Sequence, residues 1–455
     1  MKRLLALSLA IILYGSVFAQ TPATDTAGRK VYTMNLQQCI DYAMQNSSSV
    51  QNSILDQQIA HRKVQEYLGS GLPQISGNGS VQDFIQIPTS LIPGQFFGDP
   101  SGTYIPLQFG TRYTATGTIQ GSQLIADGSF FVGISAVKTF EELSEKNTES
   151  TKIDLVEKVS KAYYTTLVAI ENIKVVNANL IQLKKLYDDT KAMYDQGFVE
   201  KVDEDRANVS YTNVLSEKEK AQNSIQLAFY LLKYQIGMDV NAYLKLTDSL
   251  ANLQVEEQLP VADSVDYNNL ITYQLLQTEK SLNLVKLKEE RVTGWPTLYL
   301  NAEYSQNAQR PTFNFFETGQ PWFPTSFIGV SLKVPIFSGL SHERRIQEDK
   351  LQIQQNDNSL TDLRNAIKLQ LRSAKATLAN NYTTMDEQKK NTDLAESVYK
   401  TTKAKYDQGV GSNLEVTEAQ TALEEAQTNY LNAVYNSLLA KIDLEKAMGT
   451  LYQGK

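Results

Sequence analysis

The chain reads as a mainly helical protein with a smaller β component, made of two tandem helix–strand–strand–helix–helix repeats. Three observations point there. The first is a motif that occurs twice: residues 186–197 read LYDDTKAMYDQG and residues 398–409 read VYKTTKAKYDQG, identical at eight of twelve positions. The offset is 212, and it also carries Ile236-Gly237 onto Met448-Gly449, so the register runs unbroken for about fifty residues. A fixed-offset match of this length marks a duplicated structural unit. The second observation is a strict alternation of four- and three-residue steps between apolar positions on both sides of the motif, the mark of long heptad helices. The third is a pair of Gly- and Pro-punctuated stretches, 73–123 and 296–334, in which apolar and polar residues alternate with the period of a strand. The two repeats are expected over 20–240 and 241–455.

Residues 1–19 read as an export signal. Lys2 and Arg3 form a positive start, Leu4–Tyr14 an apolar stretch, and Val17-Phe18-Ala19 a small-residue cleavage site before Gln20. No cysteine follows the site, which argues against a lipid anchor there. The formal charge of the full chain is −7 and becomes more negative once Lys2 and Arg3 are removed, so nucleic acid is not an expected partner. Cys39 is the one cysteine and cannot form an internal disulfide; it reads as a small buried residue. His61 and His342 are the two histidines and lie in no ligand pattern, so neither a metal nor a cofactor is expected. The mature chain has no run of eighteen apolar residues. If this exported protein enters a membrane, it must do so as a β-barrel.

In chain order, Leu36, Ile40, Ala43 and Met44, then Ile54, Ile59, Val64 and Leu68, trace two helices with a break in NSSSV at 46–50. Gly69–Pro73 ends them. Tyr113, Ala115, Gly117, Ile119 and Gly121 then alternate with Thr114, Thr116, Thr118 and Gln120. In the second repeat Leu298, Leu300, Ala302 and Tyr304 alternate with Tyr299, Asn301, Glu303 and Ser305, and Ile328, Val330, Leu332 and Val334 alternate with Phe327, Gly329, Ser331 and Lys333. Each could span a bilayer as a tilted strand of roughly ten residues, and a half-buried strand of a soluble sandwich would look the same. The connections 87–109 and 309–324 carry Pro88, Pro93, Pro100, Pro106, Pro311, Pro321 and Pro324 among aromatics such as Phe96, Phe97, Trp322 and Phe323. They read as loops.

Long helices are expected over about 145–193 and 202–236, and again over 342–405 and 414–448. In the last of these Ala419, Leu423, Ala426, Tyr430, Ala433, Ser437, Ala440, Leu444 and Ala447 step by four and three throughout. Alanine at every seventh place lets helix backbones approach closely, and a strict heptad imposes a left-handed supercoil. Such a seam is too thin for a globular core and implies helix-on-helix packing. Residues 238–262 break the heptads between the repeats. Gly294-Trp295-Pro296 then repeats Gly71-Leu72-Pro73, and Pro335-Ile336-Phe337-Ser338-Gly339 marks the return from strand to helix.

The doubled unit, the Tyr-x-x-Gly helix turns at 194–197 and 406–409 and the strand-to-helix Pro-Ile-Phe-Ser-Gly at 335–339 together resemble the TolC family of outer-membrane efflux and secretion channels. The resemblance covers essentially the whole mature chain. It implies that three chains each give four strands to one 12-stranded β-barrel, continued by a long α-helical coiled-coil barrel across the periplasm. It further implies a homotrimer in outer-membrane lipid, a periplasmic adaptor (membrane fusion) protein, and an inner-membrane pump of RND or ABC type. The narrow end would lie at the helix turns, with Tyr194, Asp203, Tyr406, Glu415 and Glu418 at the aperture and Gly197, Phe198, Gly409 and Val410 meeting the adaptor. A basic residue two positions after the second turn glycine latches this end in some members; Gly411 stands there in this chain. The residues alone leave a second reading of the same carboxylates, as stabilisers of helix N-termini. No Gly-rich phosphate loop, metal-ligand spacing or Ser–His pairing is present, so no enzyme is expected. The alternative to a passive exit duct is a coiled-coil structural or adhesive protein of the periplasm or surface, with 73–123 and 296–334 as linkers.

Overall fold

A computed structural model describes residues 23–24, 30–98, 100–250 and 266–452. The export signal and residues 251–262 of the inter-repeat stretch lie outside these residues. The chain forms two compact units, and each draws on both sequence repeats. Of the described residues, one unit comprises those within 1–51, 152–262 and 370–455; the other comprises those within 52–151 and 263–369. No helix among the described residues is long and apolar enough to cross a membrane.

The 52–151/263–369 unit carries the main sheet. Strands β3 (Gln74–Asp83), β6 (Tyr113–Ala126), β8 (Thr297–Arg310) and β9 (Phe323–Lys333) pair antiparallel in the order β3-β6-β8-β9. Short strands β4 (Thr89–Pro93) and β5 (Tyr104–Gln108) form a hairpin between β3 and β6. The stretch 87–109 is therefore not wholly loop: Leu91 pairs with Pro106 and Ile92 with Ile105, and the β-branched isoleucines favour the extended backbone. The register aligns Ile75, Gly121, Ala302 and Ile328 across the main sheet, with Leu300 opposite Val330. These residues, with Ile119, share one face, because side chains two apart on a strand point the same way. The opposite face collects Ser76, Gln120, Asn301, Glu303 and Ser331. There Asn301 Nδ2 donates to Ser331 Oγ at 2.9 Å, and Thr116 Oγ1 donates to Asn307 Oδ1 at 2.9 Å. The apolar face is bare: Ile75, Ile328 and Val330 are 77%, 80% and 68% exposed. A continuous sheet over both stretches removes the reading of 73–123 and 296–334 as linkers.

The other unit holds β1 (Ala23–Thr24), β2 (Lys30–Met34) and β7 (Tyr243–Leu246), with β2 parallel to β7. Helix α1 (Leu36–Asn46) starts with a capping box on Asn35, and α2 (Ser48–Ser70) follows the break expected in NSSSV. Cys39, Ala43, Val50, Tyr163, Leu232 and Ile236 form a core beneath β2 and β7. Tyr163 Oη donates to Asp248 Oδ2 at 2.7 Å, which satisfies a hydroxyl that would otherwise be buried alone. Burial pushes the Cys39 thiol up to about 12, so it is an inert core residue.

The remaining helices are α3 (Gly128–Asp195), α4 (Lys201–Gln235), α5 (Ile271–Val292), α6 (Ser341–Asp407) and α7 (Asn413–Met448). α3 begins well before residue 145, because residues 128–144 are helical without carrying the heptad stripe. The heptad seam holds: Ala419, Leu423, Ala433, Ser437, Ala440, Leu444 and Ala447 of α7 are buried, as are Ala207, Val214, Ala221, Ala228 and Leu232 of α4.

Candidate functional site

The Tyr-x-x-Gly turns end α3 and α6 in the same way. At Gly197 the backbone takes φ 77°, Phe198 N bonds to Met193 O at 2.8 Å and Gly197 N to Tyr194 O at 2.8 Å. At Gly409 φ is 76°, with Val410 N to Lys405 O at 3.0 Å and Gly409 N to Tyr406 O at 2.9 Å. Each pair of bonds closes the last carbonyls of a helix through a left-handed residue, a conformation only glycine takes without a Cβ penalty. Beyond each glycine the chain presents one apolar side chain to solvent: Phe198 is 76% exposed and Val410 75%.

The two turns meet through a buried polar contact. Asn413, at the start of α7 and 4% exposed, donates through Nδ2 to the Asp203 carbonyl at 3.2 Å and to Thr190 Oγ1 at 3.4 Å. Thr190 Oγ1 lies 3.3 Å from Tyr406 Oη and itself donates to Leu186 O at 2.7 Å. Tyr406 Oη also approaches Met193 Sδ at 3.8 Å. Tyr406 also belongs to a buried apolar cluster with Leu186, Tyr399 and Val416. Sequence reasoning found Tyr406 and missed Thr190 and Asn413. Thr190 is one of the positions identical in the two copies of the motif, but nothing in the sequence pairs it with Asn413.

The equivalent positions of the first repeat look different. Tyr194 is 37% exposed, with Lys201 Nζ 5.2 Å above its ring. Lys201 pairs with Glu204 and, at 3.3 Å, with Asp205, and these hydrogen bonds hold its ammonium above the usual lysine range. Asp203 has Arg206 at 3.7 Å. On the second repeat Glu415 completes a capping box: its backbone N donates to Ser412 Oγ at 3.2 Å and its carboxylate accepts from Ser412 N at 3.4 Å. Glu418 is exposed and has no hydrogen bond or ion pair among the described residues. The structure thus brings Asp203, Tyr406 and the start of α7 together, with Glu415 engaged at a helix end and Glu418 open. Further along α7, burial and the Glu217 charge push the Glu424 carboxyl above the usual range, although Gln420 Nε2 donates to it at 3.0 Å.

A family model described as "Outer membrane efflux protein" matches residues 133–237 and 277–450. Outer membrane protein TolC of Vibrio cholerae is 22% identical over 337 residues, covering 73% of this chain and 76% of that protein. Outer membrane protein TolC of Escherichia coli is 21% identical over 431 residues, covering 92% and 82%. Among solved structures, the Campylobacter jejuni CmeC outer membrane channel superposes with a TM-score of 0.73 at 16% identity, covering 92% of this chain and 86% of that one. The open state of the Neisseria gonorrhoeae MtrE outer membrane channel gives 0.72 at 17% identity, covering 91% and 89%.

Proposed function

This chain belongs to the outer membrane efflux protein family, a family of channels located in the outer membrane, and from that premise we propose that three copies form the passive exit duct of a tripartite efflux or type I secretion system. The observation that carries this reading is the four-stranded sheet with one apolar and one polar face. Its outer edges, on β3 and β9, pair with nothing among the described residues. In lipid each unpaired backbone group costs several kcal/mol, so the sheet must find further strands. Three sheets closed edge to edge give a 12-stranded barrel with the apolar face to lipid and the Asn301/Ser331 face to the lumen.

The turns 194–203 and 406–415 form the periplasmic end, where exposed Phe198 and Val410 offer apolar contacts to an adaptor that couples the duct to an RND or ABC pump. The duct does no chemistry; the pump supplies the energy. At the aperture three copies would gather Asp203, Glu415 and Glu418. Unit charges about 6 Å apart repel by roughly 2–3 kcal/mol at an effective dielectric near 20, so such a ring attracts cations and resists anions. Because Asp203 has Arg206 and Glu415 caps α7, Glu418 contributes most of the free negative charge. Planar-bilayer recording tests this. The wild type should give a low, cation-selective conductance that multivalent cations on the helix side reduce, and the Glu415→Gln, Glu418→Gln double variant should lose most of that block while still assembling. Identical block of both proteins would leave the carboxylates as helix-end stabilisers.

A further inference from the structure

The cavity where the end of α4 meets β7 carries positive charge and no negative charge. It measures about 680 Å³, within the roughly 300–1,000 Å³ typical of small-molecule sites. Ile170, Phe229, Leu244 and Leu246 give it apolar walls, and all four belong to the core around Cys39 or pack on it. Two lysines line it, Lys233 and Lys245, and no aspartate or glutamate does. That is the reverse of the chain as a whole, which has 50 acidic residues against 43 basic ones. Tyr243 and Lys245 are exposed, so the cavity opens to solvent in the single chain.

Lys233 stands in the last turn of α4, where a lysine ordinarily extends its ammonium into water, yet it is 8% exposed. Its Nζ donates to Val240 O at 2.9 Å and lies 5.4 Å above the Tyr230 ring. An ammonium has three donors, and the carbonyl takes one of them. No carboxylate pairs with Lys233 among the described residues. Asp239, whose charge favours the ammonium, accepts instead from the backbone N of Asn241 at 2.9 Å. Burial outweighs that charge and holds the Lys233 ammonium below the usual lysine range. Capping α4 accounts for one hydrogen bond and for none of the burial. A buried cation without an anion is costly, and a bound anion would relieve the cost.

We propose that this cavity binds a carboxylate amphiphile of fatty-acid type, with its carboxylate on Lys233 Nζ and its chain against Ile170, Phe229 and Leu246. Each half of such a ligand answers one half of the site. The ammonium gains the anion that the described chain does not supply, and the tail covers apolar wall. A compact anion such as phosphate would give up its hydration for one ammonium and a largely apolar lining. The site is built from a single chain and does not rest on the channel reading.

Equilibrium dialysis of radiolabelled octanoate tests this on the full-length protein, extracted from membranes in a nonionic detergent, against the same detergent without protein. The wild type should take up one octanoate per chain, saturably. Excess octanol, the tail without the charge, and excess inorganic phosphate, the charge without the tail, should both leave that octanoate in place. Lys233→Met keeps the aliphatic stem and removes the charge. It should weaken binding by roughly ten-fold or more, the loss expected of a charge-assisted hydrogen bond, and Lys233→Arg should retain it. No saturable uptake by the wild type would overturn the proposal. So would displacement by octanol, displacement by phosphate, or Lys233→Met binding as tightly as the wild type. Should Lys233→Met not fold, acetic anhydride on the wild type decides. Octanoate should slow acetylation of Lys233 and leave that of exposed Lys220 unchanged, and the absence of any protection at Lys233 would overturn the site.

Discussion

Asn413 is the residue on which the helix turns most depend. Its amide serves a backbone carbonyl of α4 and a hydroxyl of α3 inside an apolar shell. Removing it deletes two hydrogen bonds from a buried contact while the Asp203 carbonyl keeps its helical partner, a loss of about 0.5–1.5 kcal/mol for each bond. Asn413→Ala should therefore lower the unfolding midpoint and raise the open fraction in bilayer recordings; unchanged values for both would show that the contact holds nothing. Glu157 offers a pH readout away from the turns. Burial pushes its carboxyl upward, but the hydrogen bonds and charges of Lys161 and Lys446 outweigh this and hold it below the usual range. A depressed folded value means the stabilisation is present above about pH 4.5, the ordinary glutamate value, and is lost as pH falls through the folded one. Glu157→Gln should be less stable than the wild type at neutral pH, with the gap closing in acid. The glycine turns, and the place of Glu415 near a helix start, were legible because each is a local pattern of a few residues; the hydroxyl of Ser412 that completes the capping box is seen in the structure. The Asn413–Thr190 contact was not, because no local period links residues so far apart in sequence.

At the scale of elements, the heptads of α4 and α7 could be read directly, since Ala207, Val214, Ala221 and Ala228 of α4 and Ala419, Ala433, Ala440 and Ala447 of α7 recur in sevens and are buried. The start of α3 could not, because the stripe is absent over 128–144 even though the backbone is helical. Strands β6, β8 and β9 of the main sheet were legible by alternation, but alternation alone does not say that two repeats join in one sheet. That follows from β6 pairing with β8, a contact between the repeats. The register yields a prediction about lipid. Leu300 sits on the apolar face opposite Val330, and Asn301 on the polar face bonded to Ser331. A lipid-facing arginine near the bilayer midplane costs roughly 2–4 kcal/mol. Leu300→Arg should sharply reduce heat-stable assembled protein in outer-membrane fractions while Asn301→Arg leaves most of it. Equal tolerance would mean that this face does not meet lipid.

At the scale of the whole molecule, one chain is an incomplete object. Among the described residues it has a sheet with unpaired edges on β3 and β9 and an apolar sheet face left exposed. On the proposed reading, other copies supply the missing strands and lipid covers the apolar face. The most direct test is the native mass of the protein extracted from outer membranes in mild detergent and stripped of detergent in the gas phase. The account predicts a mass three times that of the mature chain, persisting until the helices unfold. A stable single-chain mass under the same conditions, with the sheet still protected from proteolysis, would contradict it.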